Sequence, residues 1–436
     1  MTYAEAVARI LALRGGEMAG MRPGLARIEA LLEALGHPER AFRIVQVGGT
    51  NGKGSIAAML AAILAAAGLR TGLYTSPHLC SFRERIRVNG RAIPEADVAD
   101  GVEAIGTLVA RLDASMFEAA TALALDHFAR ESVDIAVLEV GLGGRLDSTT
   151  VGRPEVEVLG RIDYDHQAVL GRTLAEIAAE KAAIIRSGVA LCARQEPEAL
   201  AVLVARAREV GVPLLQEGRE LAVSTRSFDL SGQRLDLAGP GWRLEDVRCA
   251  LLGVFQPGNA LLAAAAARCL GTGEGAVRAG LAAVRWPGRF QILQERPIVV
   301  VDGAHNPGGA RALAASLRAY FPGQAVTFVL GIFADKDQAG ILEALVPLAA
   351  RVIVTRAASP RAAAPERLAA LLVPHARAIP YGVQTAASAT EALAMATSPA
   401  LSPVVCVTGS LYLLGEVLAD RHPTLDILCG NPSAGC

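Results

Sequence analysis

Aromatic side chains are scarce in this chain of 436 residues. Phe, Trp and Tyr make up 4% of it although 52% is hydrophobic, and the excess is Ala, Leu and Val. Its core must therefore be aliphatic. No uninterrupted apolar run reaches the roughly 20 residues that span a bilayer, and Glu5 and Arg9 interrupt the first turns where a signal peptide would be apolar. The seven cysteines form no CxxC pair and are odd in number, which reads as reduced thiols in a cytoplasmic protein. A net charge of −1 gives no electrostatic reason to expect nucleic acid or an anionic membrane surface. The length corresponds to roughly two or three domains and needs neither disulfides nor a structural metal to hold its core. These absences leave a cytoplasmic globular protein, expected to be monomeric and to act on small molecules.

Lysine is the other shortage. Of 42 basic residues only Lys53, Lys181 and Lys336 are lysine. Arginine stays charged and forked, whereas a lysine amine can lose its proton and react. Either composition has drifted and left three stragglers, or lysine persists where guanidinium cannot serve. The second reading requires all three to fall in chemically meaningful contexts.

Along the chain, apolar strands alternate with helices. Strands are expected at 43–47, 72–75, 134–140 and 156–161, with helices at 55–67 and 174–186. Such alternation implies a mostly parallel sheet covered on both faces. Residues 219–250 break the pattern and read as a small antiparallel subdomain, before a helix at 258–270. Pro287 and Gly288 punctuate the chain at a hinge, 286–289. Beyond it the alternation restarts, with strands at 298–301, 326–330, 352–355 and 404–407. Helices are expected there at 309–320, 339–350, 365–372 and 411–419. The fold class is α/β: a large phosphate-loop domain over 1–285, and a smaller Rossmann-like domain over 290–420. The last residues, 421–436, form a disordered tail.

The strongest local signal is Gly48-Gly49-Thr50-Asn51-Gly52-Lys53-Gly54-Ser55 between a strand and a helix. Glycines let successive N–H groups and a helix N-terminus point at a phosphate. Lys53 would reach the outer phosphates and Ser55 would offer a hydroxyl near Mg²⁺. The loop departs from GxxxxGK[ST] by one glycine between Lys and Ser. Glu139 closes a buried strand at a glycine loop, and His166 follows Asp163 and Asp165 beyond another strand, the edge where open sheets bind ligands. Such a carboxylate and imidazole, with hydroxyls and phosphate oxygens, can hold Mg²⁺. Taken alone, each also fits a plain loop carboxylate and a hydrogen-bonded core histidine. Lys181 reads either as a solvated helix charge paired with Glu180 or Glu176, or as a reactive amine.

Gly49–Ser55 resembles the phosphate loop of the Mur ligase superfamily, in particular the folylpolyglutamate synthases and bifunctional bacterial dihydrofolate synthases. The likeness continues in order through Tyr74–Leu79, Glu84–Ile86, Phe117-Glu118, Leu138–Asp147, Asp165-His166 and Glu180–Ala182. It resumes at Asn259, Pro287–Arg289, Asp302–Pro307, Asp335–Asp337 and Thr408–Ser410. The resemblance implies ATP-driven amide formation, in which L-glutamate is joined to dihydropteroate and to reduced folates through an acyl phosphate. It implies ATP contacts from Gly49, Thr50, Asn51, Gly52, Lys53, Gly54, Ser55, Asn259, Arg289 and Asp302. One or two Mg²⁺ ions would be held by Ser55, Ser76, Glu139 and His166, with a monovalent cation as a further candidate. Lys53, Glu139, His166, Lys181 and His305 would be catalytic, Lys181 as a carbamate made from CO₂. Folate would touch Met21, Arg22, Pro23, Arg85, Ser115, Met116, Phe117, Glu118, Leu146, Asp147 and Ser148. Three departures stand out: Ala183 replaces a usual Gly, Thr150 a usual Asn, and Ser115-Met116 a Thr-aromatic pair. The Asp335-Lys336-Asp337 loop either binds glutamate or is a plain loop.

Two other readings compete. A peptidoglycan-type ligase would carry a UDP-sugar domain ahead of the phosphate loop, where only 47 residues precede Gly48. A non-catalytic nucleotide sensor would need the loop but not Glu139, His166, Lys181, Asp302 and His305 together.

Overall fold

The computed structural model describes residues 1–15 and 24–421. Met21, Arg22 and Pro23, and the tail beyond residue 421, lie outside the described residues. Eight strands build the first sheet: β1 (Arg43–Gly48), β2 (Thr71–Tyr74), β3 (Ile86–Val88), β4 (Arg91–Ala92), β5 (Ile135–Glu139), β6 (Val156–Leu159), β7 (Val189–Cys192) and β8 (Leu214–Gln216). Their spatial order is β4-β3-β2-β5-β1-β6-β7-β8. Every pair from β2 to β8 in that order is parallel, and β3 and β4 add an antiparallel edge. The strands are apolar and buried along most of their length because helices cover both faces.

A second sheet contains β12 (Gln291–Glu295), β13 (Ile298–Asp302), β14 (Val326–Leu330), β15 (Ala349–Val354), β16 (Val383–Thr385) and β17 (Val404–Thr408), once the three-stranded antiparallel unit β9 (Ala222–Asp229), β10 (Gly232–Gly239) and β11 (Trp242–Cys249) has been passed. Its order is β12-β13-β17-β14-β15-β16, parallel except for β12.

The helix Lys53–Ala66 is Ala-rich and buried on nearly every side, lying between the first sheet and the helices Gln256–Cys269 and Glu274–Ala283. Close approach there depends on Gly280, where an added Cβ would stand 2.4 Å from the Ile63 Cα. Alanine is a better helix former than glycine by about 1 kcal/mol, but backbone at that distance cannot move aside. Overlap wins. Gly280→Ala is expected to lower stability by about 3 kcal/mol, read as a lowered denaturation midpoint. A variant as stable as the parent would show that the two helices slide apart at no cost.

Two helices end a full turn earlier than the sequence pattern suggests. The helix expected over 339–350 is Gln338–Leu345, because Pro347 turns the chain into the 3₁₀ turn Val346–Leu348 and β15 starts at once. The helix expected over 174–186 stops at Ala182, where the Ile184 N–H bonds the Lys181 carbonyl and Ile185 bonds Ala182. The helices Glu95–Leu112, Met116–Arg130 and Pro197–Val210, all absent from the sequence reading, complete the outer layers.

Candidate functional site

Three neighbouring parallel strands end together. Val47 of β1 pairs in register with Glu139 of β5, and Gly48 pairs with Leu159 of β6. The phosphate loop, the loop Gly141–Gly144 and the loop 160–166 therefore emerge side by side at one carboxyl edge. The second sheet repeats this arrangement, with Asp302 of β13, Thr408 of β17 and Leu330 of β14 in register. Its loops at 303–306, 331–337 and 409–410 face the first set. Between them lies a cavity of about 810 Å³, lined from both sides.

Gly52 caps the helix Lys53–Ala66 with a left-handed φ of 89°. The backbone turns back on itself: the Thr50 and Asn51 N–H groups donate to the Arg161 carbonyl, and the Thr50 hydroxyl and Asp163 backbone exchange two hydrogen bonds. Lys53 curls over the loop, its Nζ 3.3 Å from the Thr50 carbonyl. From the helix Gln256–Cys269, Asn259 donates to Gln256, and Gln256 Nε2 lies 3.4 Å from Ser55 Oγ. Gln256 went unnoticed in the sequence, where nothing in its spacing announces a partner 201 residues away.

Glu139 is 5% exposed and accepts the Ser76 N–H at 3.2 Å. Burial raises its carboxyl above the usual range, with Lys53, Ser76, Arg289 and Arg85 pulling against that. His166 is pushed down to about 4, first by burial, so it is a neutral imidazole at neutral pH. Ser55, Ser76, Glu139 and His166 all line the cavity beside Lys53. Among the described residues no three His, Cys, Asp or Glu side chains converge as a metal nest. One carboxylate, two hydroxyls and a neutral imidazole beside a phosphate loop suit a hard cation whose remaining ligands are phosphate oxygens.

Lys181 is not a solvated charge. It is 4% exposed, its Nζ donates to the Gly49 carbonyl at 3.0 Å, and burial lowers its pKa to about 7. Glu180 is instead held by Arg145 at 2.9 Å, and Glu176 caps its own helix.

On the facing side, Asp302 accepts the Phe290 and Ala304 N–H groups at 2.8 and 2.9 Å, and burial raises it to about 6 against the pull of Arg289. Arg289 Nη1 lies 3.1 Å from the Gly288 carbonyl. His305 Nδ1 is 2.8 Å from the Gly303 carbonyl, and desolvation lowers its pKa to about 4. Lys336 Nζ reaches Asp165 at 2.5 Å and His166 Nε2 at 3.3 Å. Burial alone would raise Asp165, yet Lys336, His166 and His305 hold it below the usual carboxylate range.

Ser115, Phe117, Glu118, Leu146, Asp147 and Ser148 also line the cavity. Asp147 fastens its loop by accepting the Leu142 and Thr149 N–H groups at 2.9 and 3.0 Å. Glu118 is engaged by Arg27 and by the Ser115 N–H, so it serves as a cap and ion-pair partner. Three residues fall away from the cavity surface. Gly49 sits beneath the loop against Gly160. Met116 is 1% exposed in the aliphatic core. Arg85 is fully buried: it donates to His78 Nδ1 at 2.9 Å and stacks on Phe82, behind Glu139.

The Mur ligase middle domain family matches residues 47–267, and the Mur ligase glutamate ligase domain family matches residues 288–411. The dihydrofolate synthase/folylpolyglutamate synthase of Mycobacterium tuberculosis is 40% identical over 403 residues, covering 86% of this chain and 82% of that protein. The chain belongs to the dihydrofolate synthase/folylpolyglutamate synthase family of Mur ligases. Folylpolyglutamate synthase of Lacticaseibacillus casei is 36% identical, covering 90% of this chain and 92% of its own length. A crystal structure of the M. tuberculosis folylpolyglutamate synthase with ADP and AMPPCP superposes with a TM-score of 0.88 at 38% identity, covering 98% of this chain and 99% of that one. The E. coli FolC structure with DHPP and ADP superposes at 0.87 and 32% identity, covering 97% and 99%. No helix among the described residues is long and apolar enough to cross a membrane.

Proposed function

We propose that this synthase joins L-glutamate by an ATP-dependent amide bond both to dihydropteroate and to reduced folates. One observation carries the reading: a phosphate loop and the Asp302–Asn306 loop face each other across one cavity and touch directly, Asn51 and Asn306 exchanging hydrogen bonds at 3.0 and 3.3 Å. A phosphoryl donor and an amino-acid acceptor held on opposite edges meet there.

In the reaction, an acceptor carboxylate oxygen attacks the γ-phosphorus of ATP and the bond to the β-bridging oxygen breaks. ADP leaves and an acyl phosphate remains. The glutamate amine then attacks the acyl carbon, and the tetrahedral intermediate expels phosphate to leave the amide. The chain's part is positioning and charge neutralisation. Backbone N–H groups of Gly52–Ser55 at the helix start and the Lys53 ammonium hold the phosphates, Asn259, Arg289 and Asp302 hold the rest of the nucleotide, and Phe117, Leu146 and Ser148 face the pterin. His305, neutral and bonded through Nδ1 to a carbonyl, leaves Nε2 able to take the proton that the attacking amine must lose. Ser55, Ser76, Glu139 and His166 would hold Mg²⁺, which neutralises charge on the transferred phosphoryl group. Lys181, with an amine able to be neutral near pH 7, would carry a carbamate that supports that anionic edge.

Phosphate release from Mg-ATP with L-glutamate, with dihydropteroate or tetrahydrofolate supplied in parallel, tests this. Turnover with both acceptors is the expected result. Turnover with tetrahydrofolate alone would remove the dihydrofolate synthase half, and silence with both would sink the reading.

A further inference from the structure

A single carboxylate in the first domain gathers groups from the second. Asp165 lies in the loop after β6, and its Oδ1 accepts Lys336 Nζ at 2.5 Å and its neighbour's His166 N–H at 2.8 Å. Its Oδ2 accepts Asn306 Nδ2 at 3.0 Å and stands 3.7 Å from His305 Nε2. Lys336, Asn306 and His305 come from the loops after β14 and β13, so every one of these contacts except that to His166 crosses between the two sheets' domains. Asn306 in turn exchanges hydrogen bonds with Asn51. A continuous chain of contacts thus runs from the phosphate loop through Asn306 and Asp165 to Lys336.

The Lys336–Asp165 pair differs from the surface ion pairs of this protein. Both side chains are 8% exposed, whereas the nearby Arg311–Asp163 pair, which also joins the domains, has an arginine 60% exposed. Exposed pairs contribute little. Burying two charges is costly, so a buried pair is poor evidence for stability, and its value lies in fixing one geometry among alternatives. Here the geometry fixed is that of the two domains. It also gives the third lysine a task within its own loop: one of its three N–H donors engages Asp165 across the domains.

We propose that Asp165 is a positioning residue that seats the second domain on the phosphate loop, holding Lys336 and His305 over the cavity through an interdomain ion pair. The kinetic part of its test rests on the ligase reading, but the scattering part does not.

The test compares Asp165→Asn, Lys336→Met, their combination and Lys336→Arg. Small-angle scattering with saturating Mg-ATP reads the interdomain arrangement, and phosphate release reads turnover. Each single neutral variant is expected to expand the particle and lower kcat by about 30-fold, within the range for lost positioning. The double variant should fall no further than the worse single, because both remove one contact. Lys336→Arg, which keeps the charge, should keep the compact form. Losses that multiply in the double variant would overturn the proposal, since Lys336 would then act independently of Asp165. Unchanged scattering in both neutral variants would also overturn it. Asn306→Ala removes an uncharged contact to the same carboxylate and supplies the scattering comparison if Asp165→Asn does not fold. A wild-type protein silent towards folates would defeat the ligase reading and leave the scattering result to decide this one.

Discussion

Lys181→Ala is expected to lower turnover by about a thousandfold, the scale associated with losing one preorganised electrostatic group, and short carboxylic acids such as acetate or propionate should restore part of it. The amine is buried with only the Gly49 carbonyl, 3.0 Å away, as its hydrogen-bond partner among the described residues. In that setting its pKa is drawn from 10.5 to about 7 by burial first and by Lys53 second. A neutral amine can attack the carbon of CO₂: an N–C bond forms, one C=O electron pair moves onto oxygen, and the nitrogen releases a proton. Arginine cannot do this, so Lys181→Arg should be as inactive as the alanine variant and should gain nothing from added carboxylic acid.

The pH dependence has a definite sign. The neutral fraction grows as pH rises through about 7, so at fixed dissolved CO₂ turnover should climb between pH 6 and 8. The unfolded chain binds this proton up to about 10.5 and the native protein only to about 7, so native stability should also rise with pH across that window. Lys181→Met should lose this rise. Retention of turnover within tenfold by Lys181→Ala, or full activity in Lys181→Arg, would reduce the amine to a hydrogen-bond donor beneath the phosphate loop.

The parts of this architecture legible in the sequence were those governed by local chemistry. Buried parallel strands announce themselves as short apolar runs ended by glycine, so β1, β5, β6, β13, β14 and β17 stood out, and the residues at their carboxyl ends could be gathered on one edge each. The amphipathic helix Glu95–Leu112 was passed over although Val98, Val102, Ile105 and Val109 carry its buried stripe. Its small residues blur the contrast with the polar face. Arg85 illustrates a second limit. It sits in the 3₁₀ turn Phe82–Arg85, a few residues after Ser76 and Pro77, which do line the cavity, yet the turn sends its side chain inward onto Phe82 and His78. Tertiary partners such as Gln256 with Ser55, or Asp165 with Lys336, leave no periodic trace, because they join segments that only the fold brings together. The lysine count came closest to exposing them: two of the three have buried side chains, Lys181 on a helix beneath the phosphate loop and Lys336 in the loop after β14.

Gly49→Ala is expected to cost about two orders of magnitude in ATP affinity, measured by calorimetry with a non-hydrolysable analogue, a loss equivalent to about 3 kcal/mol. Three loop glycines face an added methyl group under different conditions, and the comparison separates backbone necessity from simple crowding. At Gly49 the φ of 126° lies where side chains are strained, and the Cβ would stand 2.9–3.0 Å from the Gly160 backbone, which is fixed by its own hydrogen bond to Gly48. Relief there requires moving β1 from β6, and the Gly49 carbonyl would carry Lys181 with it. At Gly52 the φ of 89° is also strained, but the obstacle is the Asn259 Oδ1 at 2.5 Å, a side chain that can rotate away from Gln256. At Gly54 no strain arises and the Trp286 ring at 3.0 Å must shift by a few tenths of an ångström. Affinity should therefore fall most at Gly49, less at Gly52 and least at Gly54. The opposite order would mean that contact with Asn259 and Trp286, rather than the path of the backbone between β1 and β6, shapes the phosphate loop.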